Sequence, residues 1–356
     1  MYIYTFTQWL LFFYFYSMVG WLWESCYVSL LDRKWVNRGF LNGPFLPIYG
    51  FGAVIILLVT IPVRESFVLI FLFGMTGATV LEYSTGALME KLFHVRYWDY
   101  SSKAVNLNGY ICLVSSFAWG GFSILLVKVL HRPVEHIILL VPATLTEIIA
   151  FILTTAIVVD ITESFRDAMD LKRILTNWKE NNAEIKRIEK RLDVLVAVFD
   201  NDIRALRSKA EDNIKTLESG LADNRKKYER ILAELKGKVE GKLPAKEVLL
   251  EKLENFKKKR TINLSFLLEN INLYLEEIGR HALGDGGHKT DEYDSIRSEL
   301  KDYKDSIHQQ EADVAGRKSG EYLRTLRLLG RNPRAASRKF TEALAEIKDL
   351  LTRDNK

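Results

Sequence analysis

Three glutamates, Glu24, Glu82 and Glu147, stand inside long apolar runs of the sequence. An ionisable side chain at the centre of a bilayer costs about 2.5–3.5 kcal/mol on insertion scales, so each is a candidate functional position. No Lys, Arg or His is expected at their depth, which leaves protonation, water, polar side chains or a bound cation to neutralise them. The chemistry favoured is a site for protons, a metal ion or a cationic substrate, with Glu24, Glu82 and Glu147 as candidate ligands of a divalent cation. Three separate protonated glutamates, each bonded to a neighbouring helix, are the alternative. Glu82, Gly86 and Glu90 recur every four residues and share one side of a helix, with Tyr83 adjoining. Gly86 would let another backbone approach closely. Glu90 lies beside Lys91 near the expected membrane surface, where a solvated ion pair serves equally well.

Two connecting segments could complete such a site. The run Asn37 to Gly52, NRGFLNGPFLPIYGFG, holds four glycines and two prolines and cannot form one regular helix. Irregular backbone near lipid must be covered by protein or line a wet cavity. Its free N–H groups, with Arg38 and Asn42, could hold an anion, although a tight loop made only for packing fits too. The loop YWDYSSKAVNLN at residues 97–108 offers Asp99, Asn106 and Asn108 for the mouth of a site, while its aromatics suit the headgroup level. Trp119 fits an aromatic lining or ordinary packing.

Positioning these groups requires membrane-spanning helices. Five stretches, Gln8 to Leu31, Phe45 to Val63, Ser66 to Met89, Leu107 to Leu130 and His136 to Val159, approach the ~20 apolar residues a bilayer core demands. Backbone polar groups inside lipid must be satisfied within the segment, which makes these helices. The first stretch follows no Lys or Arg and exceeds a signal h-region, so it is read as a retained anchor. Arg33, Lys34, Arg38, Lys91, Arg96 and Lys103 bias two loops toward the cytoplasm, against Arg64, Lys128 and Arg132 on the other side. The N-terminus is then outside and the tail inside, and the helices bearing the three glutamates run in one direction. Cys26 and Cys112 fall in spans and suggest packing roles rather than a disulfide.

The motifs GWLWES around Glu24, NRGFLNGPFLPIYGFG, LEYSTGALME and WDYSSKAVNLNGYICL, followed by Ser115, Ser116 and Trp119, resemble those of the bacterial CmpB-like family of type IV ABC transporter permeases, over residues 5–165. The resemblance implies a multi-pass protein of the bacterial cytoplasmic membrane and a transport role. A permease of that kind needs an ATPase, and this chain has no Walker A motif: Gly237 to Lys242 has the wrong spacing, and Gly284 to Thr290 lacks the glycine directly before Lys289. Any ATPase is therefore expected as a separate subunit.

Beyond Asp160 the sequence turns charged and heptad-like. Leu171, Leu175, Trp178, Ile185, Leu192 and Val196, continuing through Phe199, Ile203 and Leu206, follow spacings of three and four. Glycine and proline breaks at 237–244, 284–287 and 330–333 divide the remainder, so that Leu267, Leu268, Ile271 and Leu275 could fold back or the long helix could pair between two chains. A last helix with Phe340, Leu344 and Ile347 would cap that bundle. The net charge of +5 arises in this tail and suits anionic lipid; no motif supports nucleic-acid binding.

The fold class expected is all-α: a polytopic membrane domain (residues 1–165), a long cytoplasmic coiled-coil helix (166–243) and helical segments folding back or pairing (244–356). The leading function is a membrane transport component with an intramembrane carboxylate site. Its expected partners are membrane lipid, a second copy through the coiled coil and an ATPase subunit. No cofactor is evident beyond the divalent cation, and no catalytic motif appears on the chain. A membrane-anchored scaffold or sensor, and an intramembrane enzyme acting on lipid-linked substrates, are the alternatives.

Overall fold

The computed structural model describes residues 4–198, 263–276, 278–279, 290–316 and 319–352. The chain is all-α apart from one two-stranded hairpin among these residues. It divides into two compact units, one formed by residues 1–176 with 324–356 and the other by residues 177–323.

In the first unit, α1 (Phe6–Asp32) starts on a capping box in which Thr5 and Gln8 satisfy each other's amides, and it stops where Arg33 turns left-handed. The segment 33–46 leads to α2 (Pro47–Thr60), with Pro47 in the first turn, where its missing N–H costs nothing. A 3₁₀ turn (Ile61–Val63) and the Ser66 cap introduce α3 (Phe67–Phe93), closed by left-handed His94. The hairpin of β1 (Asn106–Leu107) and β2 (Ile111–Cys112) turns on Asn108 and Gly109, both at positive φ. Cys112 Sγ then caps α4 (Leu113–Leu125) by accepting from Ser115 N–H. A π-helical segment (Leu126–Leu130) joins α4 to α5 (His131–Leu140), and α6 (Ala143–Val198) follows.

α1 packs on α2, α2 on α3 and α3 on α4. At Gly20 an added Cβ would sit 2.3 Å from the Tyr49 ring, so only glycine lets α1 and α2 meet at this depth. Phe12, Ile56, Ile70 and Leu126 are fully buried in the shared core, whereas Trp23, Phe67, Val80, Val114 and Phe151 face outward. An apolar exterior of this kind suits lipid rather than water.

Three described helices, Phe67–Phe93, Leu113–Leu140 and Ala143–Val194, are long and apolar enough to cross a membrane, and Pro47–Val63 is apolar but shorter. The expectation of five such helices is therefore not met by length and composition. α1 has the length, but Gln8, Glu24 and its many Tyr and Trp residues make it less apolar than an aliphatic span. The last two spans also differ in register from expectation. The break anticipated near residues 130–136 is absent, because the π segment precedes Pro133 and accommodates its missing N–H inside one helix. The break falls instead at Val141 and Pro142, so α6 begins later than the sequence suggested.

The second unit folds back within the chain. Ile188 and Leu192 of α6, Leu264, Leu267, Leu268, Ile271 and Tyr274 of α7 (263–276), and Leu300 and Ile307 of α8 (Thr290–Gly316) share one core. Arg191 of α6 holds Glu299 of α8 through paired bonds of 2.9–3.2 Å. The heptad positions after Val198 and the glycine motifs at 237–242 and 284–289 lie outside the described residues.

α9 (Ser319–Arg331) leads to the 332–340 loop and α10 (Thr341–Thr352). The last helix does not cap the tail bundle as expected. Residues 324–352 belong to the first unit, where Arg96 and Ala336 exchange backbone hydrogen bonds of 2.7 and 2.9 Å and Ser337 Oγ donates to the His94 carbonyl at 2.6 Å. Phe340, Leu344 and Ile347, read as bundle positions, are buried there.

Candidate functional site

Glu24 on α1 and Glu82 on α3 flank α2, and each accepts hydrogen bonds from aromatic side chains. Tyr49 Oη of α2 donates to Glu24 Oε1 at 2.8 Å, while Tyr100 Oη and Trp119 Nε1 donate to the two oxygens of Glu82 at 3.2 and 3.0 Å. The Tyr49 and Trp119 rings lie 5.9 Å apart, and Tyr49 and Tyr100 each feel the charge of both carboxylates. Glu82 is only 6% exposed, and Glu24 is half-buried. Burial, then the adjacent Glu82, push the Tyr100 phenol up, so it stays a donor.

The expectation that no base reaches this depth is incorrect at Glu24. The irregular segment 33–46 folds over the end of α1 and brings Arg38 Nε within 3.8 Å of Glu24 Oε2. Burial pushes the Arg38 guanidinium down, Glu24 opposes that shift and Arg334 adds to it. The group nevertheless stays charged, as arginine does in proteins.

Backbone N–H groups of the same segment hold a carboxylate of the chain itself. Asn42 and Gly43 N–H donate to the two Asp160 carboxylate oxygens at 2.8 and 2.7 Å, and Asn42 Nδ2 reaches Ser164 Oγ at 3.2 Å. Gly43 is needed here, since a Cβ would lie 2.9 Å from Asp160 Oδ2.

Glu90 is not a solvated partner of Lys91. It accepts from Arg96 Nε at 2.7 Å and from Tyr110 Oη at 2.6 Å, while Arg96 stacks 4.6 Å over the Tyr110 ring. Arg96 Nη1 also reaches Asp99 at 3.2 Å, and its side chain is 1% exposed. Burial alone would raise the Asp99 carboxyl, but bonds from Ser101 and the charge of Arg96 outweigh it and hold the group below the ordinary carboxylate range. Asp99 therefore serves this knot. Asn106 braces the hairpin by accepting from Gly109 N–H at 3.0 Å, and Asn108 Nδ2 donates to Tyr83 Oη at 3.0 Å. Gly86 admits the Tyr110 and Trp98 side chains rather than another helix backbone.

Glu147 does not join Glu24 and Glu82. With α6 starting at Ala143, Glu147 lies in its second turn and is exposed. Asp160, on the same helix, bonds the 33–46 segment, and the thirteen-residue interval from Asp160 back to Glu147 spans about 20 Å. A three-glutamate metal centre is thus not assembled, and no group of three or more His, Cys, Asp or Glu residues is placed to hold a metal among the described residues.

The comparison with sequence families matches the family described as "Putative ABC-transporter type IV", ABC_trans_CmpB, across this same region. Residues 11–165 match that family. The matched segment contains Glu24, Arg38, Glu82, Arg96 and Trp119 and excludes the tail. Comparison with curated proteins and with solved structures found no match. Three described helices are long and apolar enough to cross a membrane, and residues 11–165 resemble a family described as ABC-transporter related.

The first unit contains a second polar cluster that sequence reasoning missed. His131 is buried, its Nε2 3.3 Å from Tyr4 Oη and its Nδ1 3.0 Å from Tyr16 Oη. Tyr4 Oη also donates to Glu135 and accepts from Arg64 at 3.4 Å. His131 and Arg132 read as loop residues in sequence; the only available signal was a histidine at the polar end of an apolar run, and the continuous π-to-α turn that aims it inward is a tertiary result.

Proposed function

We propose that the chain is the membrane-embedded component of a transport system, with Glu24 and Glu82 forming one polar site lined by Tyr49, Tyr100 and Trp119 and gated by Arg38. The observation that carries this reading is that two carboxylates from different helices accept from aromatic donors on three further elements, with the Tyr49 and Trp119 rings 5.9 Å apart. A carboxylate held by such donors can trade them for a proton, a cation or a cationic group on a substrate. The basic loops at this end support a cytoplasmic side for it, with the N-terminus outside and the tail inside. Energy comes from a separate ATPase subunit, as the family description suggests. The residues after 176 act in assembly, including pairing with a second copy.

The test is mild-detergent purification of the native complex with quantitative mass spectrometry of co-purifying proteins. We expect a stoichiometric nucleotide-binding subunit whose ATPase rate changes on Glu82→Gln and not on Glu147→Gln. Absence of such a subunit, or equal effects of the two substitutions, overturns the proposal.

A second reading, a membrane-anchored scaffold or sensor, is favoured by α6, whose 56 residues supply both units. It requires that deletion of residues 177–323 be as damaging as loss of the whole chain while Glu82→Gln stays mild.

A further inference from the structure

Arg331, at the end of α9, is 8% exposed, yet none of its three guanidinium nitrogens has a hydrogen-bond partner. The Tyr97 hydroxyl, also buried and without a partner, lies within electrostatic range of Arg331. Arg38 borders the same place: its Nη2 donates to the Tyr97 carbonyl at 3.0 Å and its Nη1 to Asn332 Oδ1. Arg334 lies within electrostatic range of Arg38. Every element here belongs to the first unit.

A buried guanidinium cannot shed its charge, and its N–H donors demand acceptors. The acids that face Arg331 do not bond to it. Asp167 forms an ion pair with Arg324 Nε at 3.4 Å but its buried Oδ1 makes no hydrogen bond, and Asp160 accepts the Asn42 and Gly43 amides. Both temper the charge of Arg331 without bonding to it. Asn332 has spent its amide on the Gly39 and Leu328 carbonyls at 2.9 and 3.0 Å. Asp167 offers one unbonded oxygen to three unpaired guanidinium nitrogens, so Arg331 has donors to spare for an acceptor from outside the chain, and the planar fork of arginine matches the oxygens of a phosphoryl group.

We propose that Arg331 and the Tyr97 hydroxyl, with Arg38 and Arg334 beside them, form a phosphoryl-binding site at the loop end of the membrane unit. The phosphoryl group is that of a phospholipid headgroup or of free phosphate. The site shares Arg38 with the Glu24 and Glu82 cluster but does not rest on the transport reading.

The full-length protein in detergent is titrated with inorganic phosphate, followed by ³¹P line broadening and thermal shift. In a second arm it is incubated with phosphatidylglycerol or with a neutral glycosyl-diacylglycerol, and retained lipid is counted by native mass spectrometry. Arg331→Gln should weaken phosphoryl binding about 10- to 100-fold, and Tyr97→Phe, which removes one oxygen and leaves the fold, about 2- to 10-fold. Saturable binding of phosphate alone assigns the site to a soluble anion; preferential retention of phosphatidylglycerol over the glycolipid assigns it to lipid. If neither probe binds the wild type, or if both bind Tyr97→Phe and Arg331→Gln as tightly as wild type, the site does not exist and Arg331 closes onto Asp167 instead.

Discussion

Replacing Asp160 with alanine removes the acceptor that holds the segment between α1 and α2. Two backbone N–H groups, Asn42 at 2.8 Å and Gly43 at 2.7 Å, lose a charged partner, and Ser164 Oγ loses its contact at 3.2 Å. A hydrogen bond to a charged group contributes about 1.5–3 kcal/mol, and partial exposure of Asp160 favours the lower end, so the loss is about 3 kcal/mol. For a unit of 150–250 residues each kcal/mol moves Tm by about 2–4 °C, giving a fall of about 6–12 °C in Asp160→Ala. Asp160→Asn keeps one acceptor oxygen and should lose about half as much. Thermal melts of the purified full-length chain measure the fall, and hydrogen exchange locates it at residues 42 and 43. The reasoning fails if Asp160→Ala melts within about 1 °C of wild type, or if exchange at those two amides stays slow.

Three further outcomes follow from the same geometry. Arg96→Lys keeps the charge but loses the fork that binds Glu90 and Asp99 together and the stacking on Tyr110; it should cost about 2–4 kcal/mol, read by thermal melts. Because Asp99 is held below the ordinary carboxylate range in the fold, its contribution is complete above the unfolded value near pH 4 and is lost as pH falls through the folded value. Wild-type Tm should therefore drop more steeply than that of Asp99→Asn below about pH 4, and parallel curves would refute the role. Ile271→Ala, at a fully buried position of the second unit, should cost about 2–5 kcal/mol and melt that unit before the first, visible as an earlier exchange transition confined to residues 177–323.

Composition and periodicity are enough to read the all-helical class, the membrane half and Glu24 and Glu82 as unusual residues, because apolar length and a charge inside it are local properties of the chain, while the family resemblance rests on separate short motifs. Thr5, Ser66 and the Asn108–Gly109 turn are equally local, since capping and positive φ depend on a few adjacent residues. Partnership is another matter. That Arg38 returns to Glu24, that Asp160 fills the backbone nest at 42–43, and that Arg96 is the buried centre of Glu90, Asp99 and Tyr110 are contacts between residues distant in sequence or turned inward by a loop, and charge counting placed both arginines in solvated loops. Register was the most consequential loss. One π segment before Pro133 moves the start of α6 to Ala143, which carries Glu147 away from the other two glutamates. A helix advances about 1.5 Å per residue wherever it begins, so the sequence determines which residues are costly in lipid, and only the tertiary structure decides at what depth they stand and which of them meet.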